Sequence, residues 1–300
     1  MSNVLLAVNG VVCRIGRKIG EGSFGVVFEG EMLLKEGKVP VAIKFESSQT
    51  KYPQLQDEFR TYKDLQRCKG IPRVHYFDKG DIHNILITDL LGPSLENLFD
   101  KYCRRSSGGT VSLRKTVGFL AEELLLRFQG IHEQGWIYCD VKPENFLIGI
   151  PGTPVADTIH VVDFGMAKQY RDPRTERHIP FREDMPLSGT ARYMSINTHL
   201  GRERSRRDDL EALGHVFLYF LKGRLPWQGT KAATNGRKYE KIAAKKQEIS
   251  IEVLCVGCPP EVAKYMEYVR SLGFEDEPNY EYLRGLWSRV RKNSGDPRHR

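Results

Sequence analysis

No apolar run in the 300-residue sequence is long enough to cross a bilayer; the longest, near Leu213–Leu221, falls far short of the ~20 residues a spanning helix needs. Met1–Cys13 lacks the basic start and small-residue cleavage site of a secretory leader, and is read as a leading segment entering a first strand. Neither end carries a myristoylation or prenylation motif, so membrane attachment is expected only through a lipidated tail beyond Arg300. Cysteine is sparse and scattered: Cys13, Cys68, Cys103, Cys139, Cys255 and Cys258 read as reduced thiols of the cytosol or nucleus. Cys255-Val256-Gly257-Cys258 has no second pair or suitably spaced histidine, which argues for an ordinary loop over a zinc site. Internal repeats and low-complexity domains are also absent.

What is present suits a large packed core. Hydrophobic residues make up 40% of the chain, enough for one large domain or two lobes. The 46 basic residues exceed the 38 acidic ones for a formal charge of +8, a modest excess compatible with nucleic acid, phosphorylated protein or acidic lipid. Arg202, Arg204, Arg206, Arg207, Lys241, Lys245 and Lys246 read as a solvated face, because no aromatics interleave them to stack bases. Dedicated nucleic-acid binding is therefore not expected.

The hydrophobic period changes once along the chain. Val26–Phe28, Val41–Phe45, Val74–Phe77 and Ile85–Thr88 read as strands, interrupted by a helix over Leu55–Leu65 whose apolar stripe is Leu55, Phe59, Tyr62 and Leu65, with Glu58 and Arg60 off it. Leu90-Leu91-Gly92-Pro93-Ser94 breaks the pattern and marks a boundary. Helices then follow over Ser94–Tyr102, Leu113–Gln134, Asp208–Leu221, Lys238–Lys245, Ile251–Leu254, Pro260–Ser271 and Tyr280–Lys292, around a loop tip at Arg104–Gly109. Lys168–Leu187 is too long for a plain connector and reads as a functional loop. The arrangement is an α+β chain: a small β-rich lobe with one main helix over about 12–91, a larger helical lobe over about 92–292, a leading segment 1–11 and a frayed tail 293–300.

Four short motifs carry chemistry. Gly20-Glu21-Gly22-Ser23-Phe24-Gly25 lies between strand-like runs, so its amides can approach phosphate oxygens from a β-hairpin rather than from a dinucleotide-binding turn. Val41-Ala42-Ile43-Lys44 puts an ammonium near that loop, and Glu58 on the lobe's helix is its expected partner, ahead of Asp57. Asp140 and Asn145 have the D-x-x-x-x-N spacing in which the acid takes or orients a hydroxyl proton and the amide binds a metal, with Lys142 between them for the transferred group. Asp163-Phe164-Gly165 supplies the second metal ligand.

In this order the motifs resemble a eukaryotic protein kinase, and the resemblance covers about Val12–Lys292. Leu90–Leu95, His178–Glu183, Gly189–His199 with Ser195-Ile196-Asn197, Ser205–Glu211 and Leu225–Gly229 are similar to the casein kinase 1 family of Ser/Thr protein kinases. Asp163–Lys168 and Ala232–Asn235 look closest to its fungal members. The resemblance implies a two-lobed kinase fold, ATP and Mg2+ as cofactors, and protein substrates with acidic or phosphorylated residues upstream of the target Ser or Thr. It implies nucleotide contacts from Ile19, Gly20, Gly22, Ser23, Gly25, Val27, Ala42, Lys44, Thr88, Asp89, Leu91 and Leu147. An anion pocket of Arg192, Gly229 and Lys238, with Lys231 nearby, and an anchor for the catalytic loop at Asp209 follow from the same source. A monomer in the cytoplasm is expected, with nuclear or membrane-peripheral placement as alternatives.

One departure stands out. Where most kinases read His-Arg-Asp, this chain reads Tyr138-Cys139-Asp140, so position 139 offers no positive charge to the activation loop. Met185 stands where relatives often carry a lysine. Cys139 opens two further readings, a redox-sensitive site and a catalytically impaired pseudokinase scaffold.

Overall fold

The computed structural model describes residues 4–8, 10–22, 25–105 and 110–293. The chain separates into two compact units, one holding the residues up to Leu95 together with Asn145–Ala167, the other holding Glu96–Glu144 and the residues from Lys168 onward. The division read from sequence near residue 92 is contiguous, whereas here the segment Asn145–Ala167 returns to the first unit. Of the leading segment, Val4–Val8 is a strand; residues 1–3 and 9, most of the Arg104–Gly109 loop tip, and residues 294–300 lie outside the described residues.

The first unit is built on an antiparallel sheet of β1 (Val4–Val8), β2 (Val11–Gly22), β3 (Gly25–Leu34), β4 (Gly37–Ser47), β5 (Val74–Lys79) and β6 (His83–Asp89), in the order β1-β2-β3-β4-β6-β5. Alternation along the strands buries one face, where Cys13, Met32, Val41, Ile43, Ile85 and Ile87 form the core. Helix α1 (Leu55–Leu65) packs on β5 and β6, with Phe59 stacked on Phe77 at 4.7 Å between ring centroids. The start of α1 has no side-chain cap of its own. The buried carboxylate of Glu46 at the end of β4 supplies one, accepting the N–H groups of Gln54 (2.7 Å) and Leu55 (3.0 Å). A hairpin of Phe146–Ile148 with Ile159–Val161 completes the unit.

The second unit is helical, with α2 (Leu95–Arg105) at the junction, followed by α3 (Thr110–Glu133), α4 (Ile196–His199), α5 (Arg206–Lys222), α6 (Asn235–Glu248), α7 (Ile251–Leu254), α8 (Pro260–Ser271) and α9 (Tyr280–Asn293). Every residue of α5 from Asp208 to Phe220 is buried, so this helix is the axis on which the others pack. Phe217, Tyr265 and Trp287 meet edge to face at 4.8–5.8 Å and join α5, α8 and α9. Helix α4 was not legible in sequence because one turn is too short for a period; its marker is Ser195, whose Oγ accepts the Thr198 N–H at 3.0 Å.

Where α5 meets α8, Gly214 leaves no room for a side chain: an added Cβ would lie 2.4 Å from Met266 Sδ and 2.9 Å from the Tyr265 ring. Tyr265 cannot yield freely, since it is fully buried and its hydroxyl donates to the Leu210 carbonyl at 2.8 Å. Alanine gains about 1 kcal/mol of helix propensity over glycine, but overpacking costs about 1–3 kcal/mol. Gly214→Ala is therefore expected to lower the unfolding free energy by up to about 2 kcal/mol, read from the midpoint of urea denaturation.

Candidate active site

In the first unit one buried ammonium organises the motif residues. Lys44 on β4 donates to Glu58 Oε2 at 2.7 Å and to Asp163 Oδ1 at 2.9 Å, while the Glu58 side chain is 2% exposed. Burial works against the charged lysine, yet the two facing carboxylates outweigh it and hold its pKa above the ordinary value. For Glu58 burial pushes the pKa upward and the Lys44 charge opposes it. The sequence put Glu58 off the apolar stripe of α1; the structure buries it beside Leu55, Tyr62 and Leu65, because its charge is matched inside. Asp57 instead pairs with Arg60 on the exposed side of the helix.

Asp163 has a left-handed backbone, φ 62°, a conformation a non-glycine residue holds only when its surroundings fix it. Its N–H donates to the Tyr62 hydroxyl at 3.1 Å, and the buried Phe164 ring meets the Tyr62 ring at 4.9 Å. Asn145, also buried, accepts the Val162 N–H on its carbonyl at 3.1 Å, so the backbone ties together the two residues expected to hold a metal. Their donors are hard amide and carboxylate oxygens. Among the described residues no group of three or more His, Cys, Asp or Glu could form an all-protein metal cage. That donor set fits Mg2+, which uses one or two carboxylates and retains water and phosphate ligands.

The glycine-rich stretch is an antiparallel hairpin, with Gly22 opposite Gly25 and Gly20 opposite Val27. Ser23 and Phe24 lie outside the described residues. Gly25 is required by the fold: at φ +124°, an added Cβ would stand 2.1 Å from the Phe45 carbonyl oxygen. Among the described residues outside its own chain neighbours, nothing lies within 4 Å of a Cβ at Gly22. Val27 is the register partner of Lys44, and Ala42 that of Thr88. Ile19 is exposed on β2, and Leu147 lies opposite His160 in the hairpin. Leu91 stands between the Leu90 N–H, which donates to Pro40 at 3.4 Å, and the Gly92 N–H, which donates to Ile148 at 2.8 Å. The Asp89 carboxylate is occupied by the His75 ring at 2.7 Å and the Arg73 N–H at 2.9 Å, and its own N–H donates to the Arg73 carbonyl at 3.0 Å. Burial would raise the carboxylate's pKa, and its two bonds lower it instead.

In the second unit Asp140 is buried, with Lys142 paired to Oδ2 and the Thr190 hydroxyl donating to Oδ1 at 3.0 Å. The loop that carries it is fixed from α5. One oxygen of Asp209 accepts the Tyr138 N–H at 2.7 Å and His132 Nε2 at 2.9 Å; the other accepts the Cys139 N–H at 2.9 Å. His132 reaches on to the Tyr280 hydroxyl at 2.5 Å. This grip sustains a left-handed Cys139, φ 69°, immediately before Asp140. Thr190 was not among the residues singled out from sequence, since a lone threonine in a loop carries no pattern.

Cys139 is half-buried, and its surroundings weigh against the redox reading. Burial pushes the thiol up to about 12, only partly opposed by Arg204, so the thiolate needed for oxidation is scarce at neutral pH. Cys255 is likewise pushed up to about 12 by burial.

The residues expected to form an anion pocket are not linked to one another among the described residues. Arg192 lies over the Tyr193 and Tyr219 rings at 5.6 and 5.8 Å and donates to the Tyr193 hydroxyl at 3.2 Å. Gly229 takes φ +76° with open space at its Cα, while Lys238 is exposed in the first turn of α6 and Lys231 is exposed before it. No hydrogen bond links Arg192, Gly229 and Lys238 to one another among the described residues.

The cluster read as a solvated basic face divides: Lys241 and Lys245 are exposed, the four arginines are half-buried, and Lys246 is turned inward. Lys246 is fully buried, donates to the Ala191 and Met194 carbonyls at 3.0 and 2.6 Å, and is pushed down to about 7 by burial against the pull of Glu211. Arg206 caps the Tyr170 ring at 4.8 Å and donates to Glu275, and Arg207 donates to Leu272. A residue count from sequence cannot tell such internal struts from free charges.

Comparison with known proteins gives this arrangement a relation. A model of the protein kinase domain matches residues 13–266. Casein kinase I homolog 1 of Schizosaccharomyces pombe is 59% identical over 283 residues, 94% of this chain and 62% of that protein. Casein kinase I homolog 2 of the same organism is 58% identical over 294 residues, 98% and 66% respectively. Casein kinase I homolog 2 of Saccharomyces cerevisiae is 55% identical over 287 residues, 96% of this chain and 51% of that protein. The chain thus spans about half to two thirds of the length of these relatives.

The raised thiol pKa of Cys139 has a direct readout. In native protein at pH 8, iodoacetamide is expected to leave Cys139 unmodified over a period that fully labels the denatured chain, as mapped by peptide mass spectrometry. Labelling at the rate of an exposed cysteine would contradict the burial argument.

Proposed function

Because the chain belongs to the protein kinase family, and its relatives are casein kinase I homologues, we propose that it transfers the γ-phosphate of ATP to Ser or Thr hydroxyls of proteins. The observation that carries the reading is Lys44 held between Glu58 and Asp163, a fixed positive charge on the nucleotide side. Asn145 and Asp163 would hold the metal. When bound, Mg2+ and ATP supply the phosphoryl group and the neutralising charge across the phosphates. The backbone at Gly22 admits phosphate oxygens, and the hairpin between Gly20 and Val27 keeps that backbone in register.

Asp140 takes or orients the proton of the substrate hydroxyl, and Thr190 and Lys142 fix the direction of its two oxygens. Lys142 also places a positive charge beside the carboxylate, where the transferred group gathers negative charge. Substrate choice follows from Arg192 and Lys238: a guanidinium fork and an exposed ammonium favour a phosphorylated or acidic residue upstream of the target. Such an enzyme acts as a monomer on cytoplasmic proteins. The alternative of an impaired scaffold rests on Cys139 alone, and Asp140, Lys44 and Asp163 all keep the partners that transfer needs.

Radiolabelled phosphate transfer to three peptides, phospho-primed, acidic and neutral, tests both levels. Wild-type protein is expected to exceed Asp140→Asn by at least about 10²-fold. Arg192→Ala combined with Lys238→Ala is expected to cost about tenfold or more on the primed peptide, a larger loss than on the neutral one. Transfer no faster than that of Asp140→Asn would sink the enzyme reading; equal losses on all three peptides would sink the pocket assignment alone.

A further inference from the structure

The loop before Asp140 carries no charge of its own at position 139, yet a guanidinium stands beside it. Arg204, partly buried just ahead of α5, donates through one terminal nitrogen to the Cys139 carbonyl at 3.2 Å. Its other terminal nitrogen donates to Ser188, to the carbonyl and, at 2.8 Å, to the hydroxyl. One side chain therefore bridges the catalytic-loop backbone and the segment that leads into Thr190, whose hydroxyl holds Asp140 Oδ1. The fork geometry matters, because a planar group with two outward N–H edges can serve two acceptors at once.

The neighbouring backbone shows that this contact is the last of a short ladder. The Glu203 N–H donates to the Arg182 carbonyl at 2.8 Å, and the Met185 N–H donates to Gly201 at 2.8 Å. Glu203 is itself buried and paired with Lys168 at 2.8 Å. Residues 201–203 thus pin residues 182–185 through the backbone, and Arg204 extends the hold to Ser188 by its side chain. Beyond Ser188 the Tyr239 hydroxyl takes over, donating to the Gly189 carbonyl at 2.9 Å.

We propose that Arg204 is the positioning residue of the 182–190 segment. It supplies from the other side of the recess the positive charge that Cys139 does not provide, and through Ser188 and Thr190 it fixes the orientation of the Asp140 carboxylate. The proposal rests on the kinase reading for its effect on turnover, but not for its effect on the segment. Because a guanidinium stays charged at neutral pH, the segment is held without any phosphate on it. Cys139 and Arg204 both line one recess, together with Val141, Thr190, Ser195 and Asp208. Removing the Arg204 side chain frees the ground it occupies, and an arginine introduced at 139 would then fill it.

The test is a four-protein cycle: wild type, Arg204→Met, Cys139→Arg, and Cys139→Arg with Arg204→Met. Amide hydrogen exchange over residues 182–192 reports the segment; kcat and KM for ATP and peptide report turnover; thermal midpoints report folding. In Arg204→Met, exchange over 185–189 should rise and kcat fall, each by about tenfold, with KM for ATP unchanged, since a small misplacement of the acid costs turnover rather than nucleotide binding. The double variant should recover most of both. Cys139→Arg alone should lose activity by crowding two guanidiniums together. If Arg204→Met fails to fold, Arg204→Lys, with one ammonium in place of a fork, carries the same comparison.

Unchanged exchange in Arg204→Met, raised exchange without loss of kcat, or losses that track the thermal midpoint and are not restored in the double variant would each overturn the proposal. Should wild-type turnover equal that of Asp140→Asn, the kinase reading fails, and the exchange measurements alone decide whether Arg204 holds the segment.

Discussion

A largely buried ammonium organises the first unit of this protein. Lys44 satisfies two carboxylates, one on α1 and one just after the Phe146–Val161 hairpin, so a strand, a helix and a loop converge on one charge. Burying Glu58 to 2% exposure would be heavily penalised without that partner, since an uncompensated interior charge costs several kcal/mol, of the order of 3–5. The same demand explains why α1 departs from its apolar stripe: the helix turns a carboxylate inward and sends Asp57 and Arg60 out to solvent. Glu46, which caps the helix from β4, fixes its start and hence the height at which Glu58 meets Lys44.

On the helical side, order is imposed by acceptors rather than by a cation. Asp209, buried in the central helix, gathers the N–H groups of Tyr138 and Cys139 and one edge of His132. Those bonds hold the loop in the left-handed turn that presents Asp140. Carbonyls around Ala191 and Met194 are met in turn by the buried Lys246, and the Ser188 carbonyl by Arg204. The polar interior beneath residues 188–195 is therefore satisfied by side chains that composition alone counts as surface charge.

The sequence displayed the elements with strong periods and the residues with fixed spacing. Ile251–Leu254, Pro260–Ser271 and Leu55–Leu65 have the bounds read from it, and the hairpin form of the glycine stretch follows from valines continuing as strand. What stayed hidden is nonlocal. Helix α4 is a single turn; β1 sits in a short run that looked like a lead-in; Thr190 and Arg204 matter through partners as far as 50 and 65 residues away. Lys246 misled in the opposite direction, because its burial is decided by carbonyls that no sequence window contains. Cys139 was visible as a departure, but its chemistry followed from burial, which raises the thiol pKa.

The account turns on Glu58 orienting Lys44, and one kinetic constant reports that directly. In Glu58→Gln the amide keeps the size of the side chain and removes the charge, leaving Asp163 as the one carboxylate of these two on Lys44. The value of kcat/KM for ATP, measured with saturating peptide, should fall by about 10²-fold or more, as expected when a preorganised electrostatic contact is lost. A value within twofold of wild type, in protein with an unchanged thermal midpoint, would contradict the role given to the buried pair.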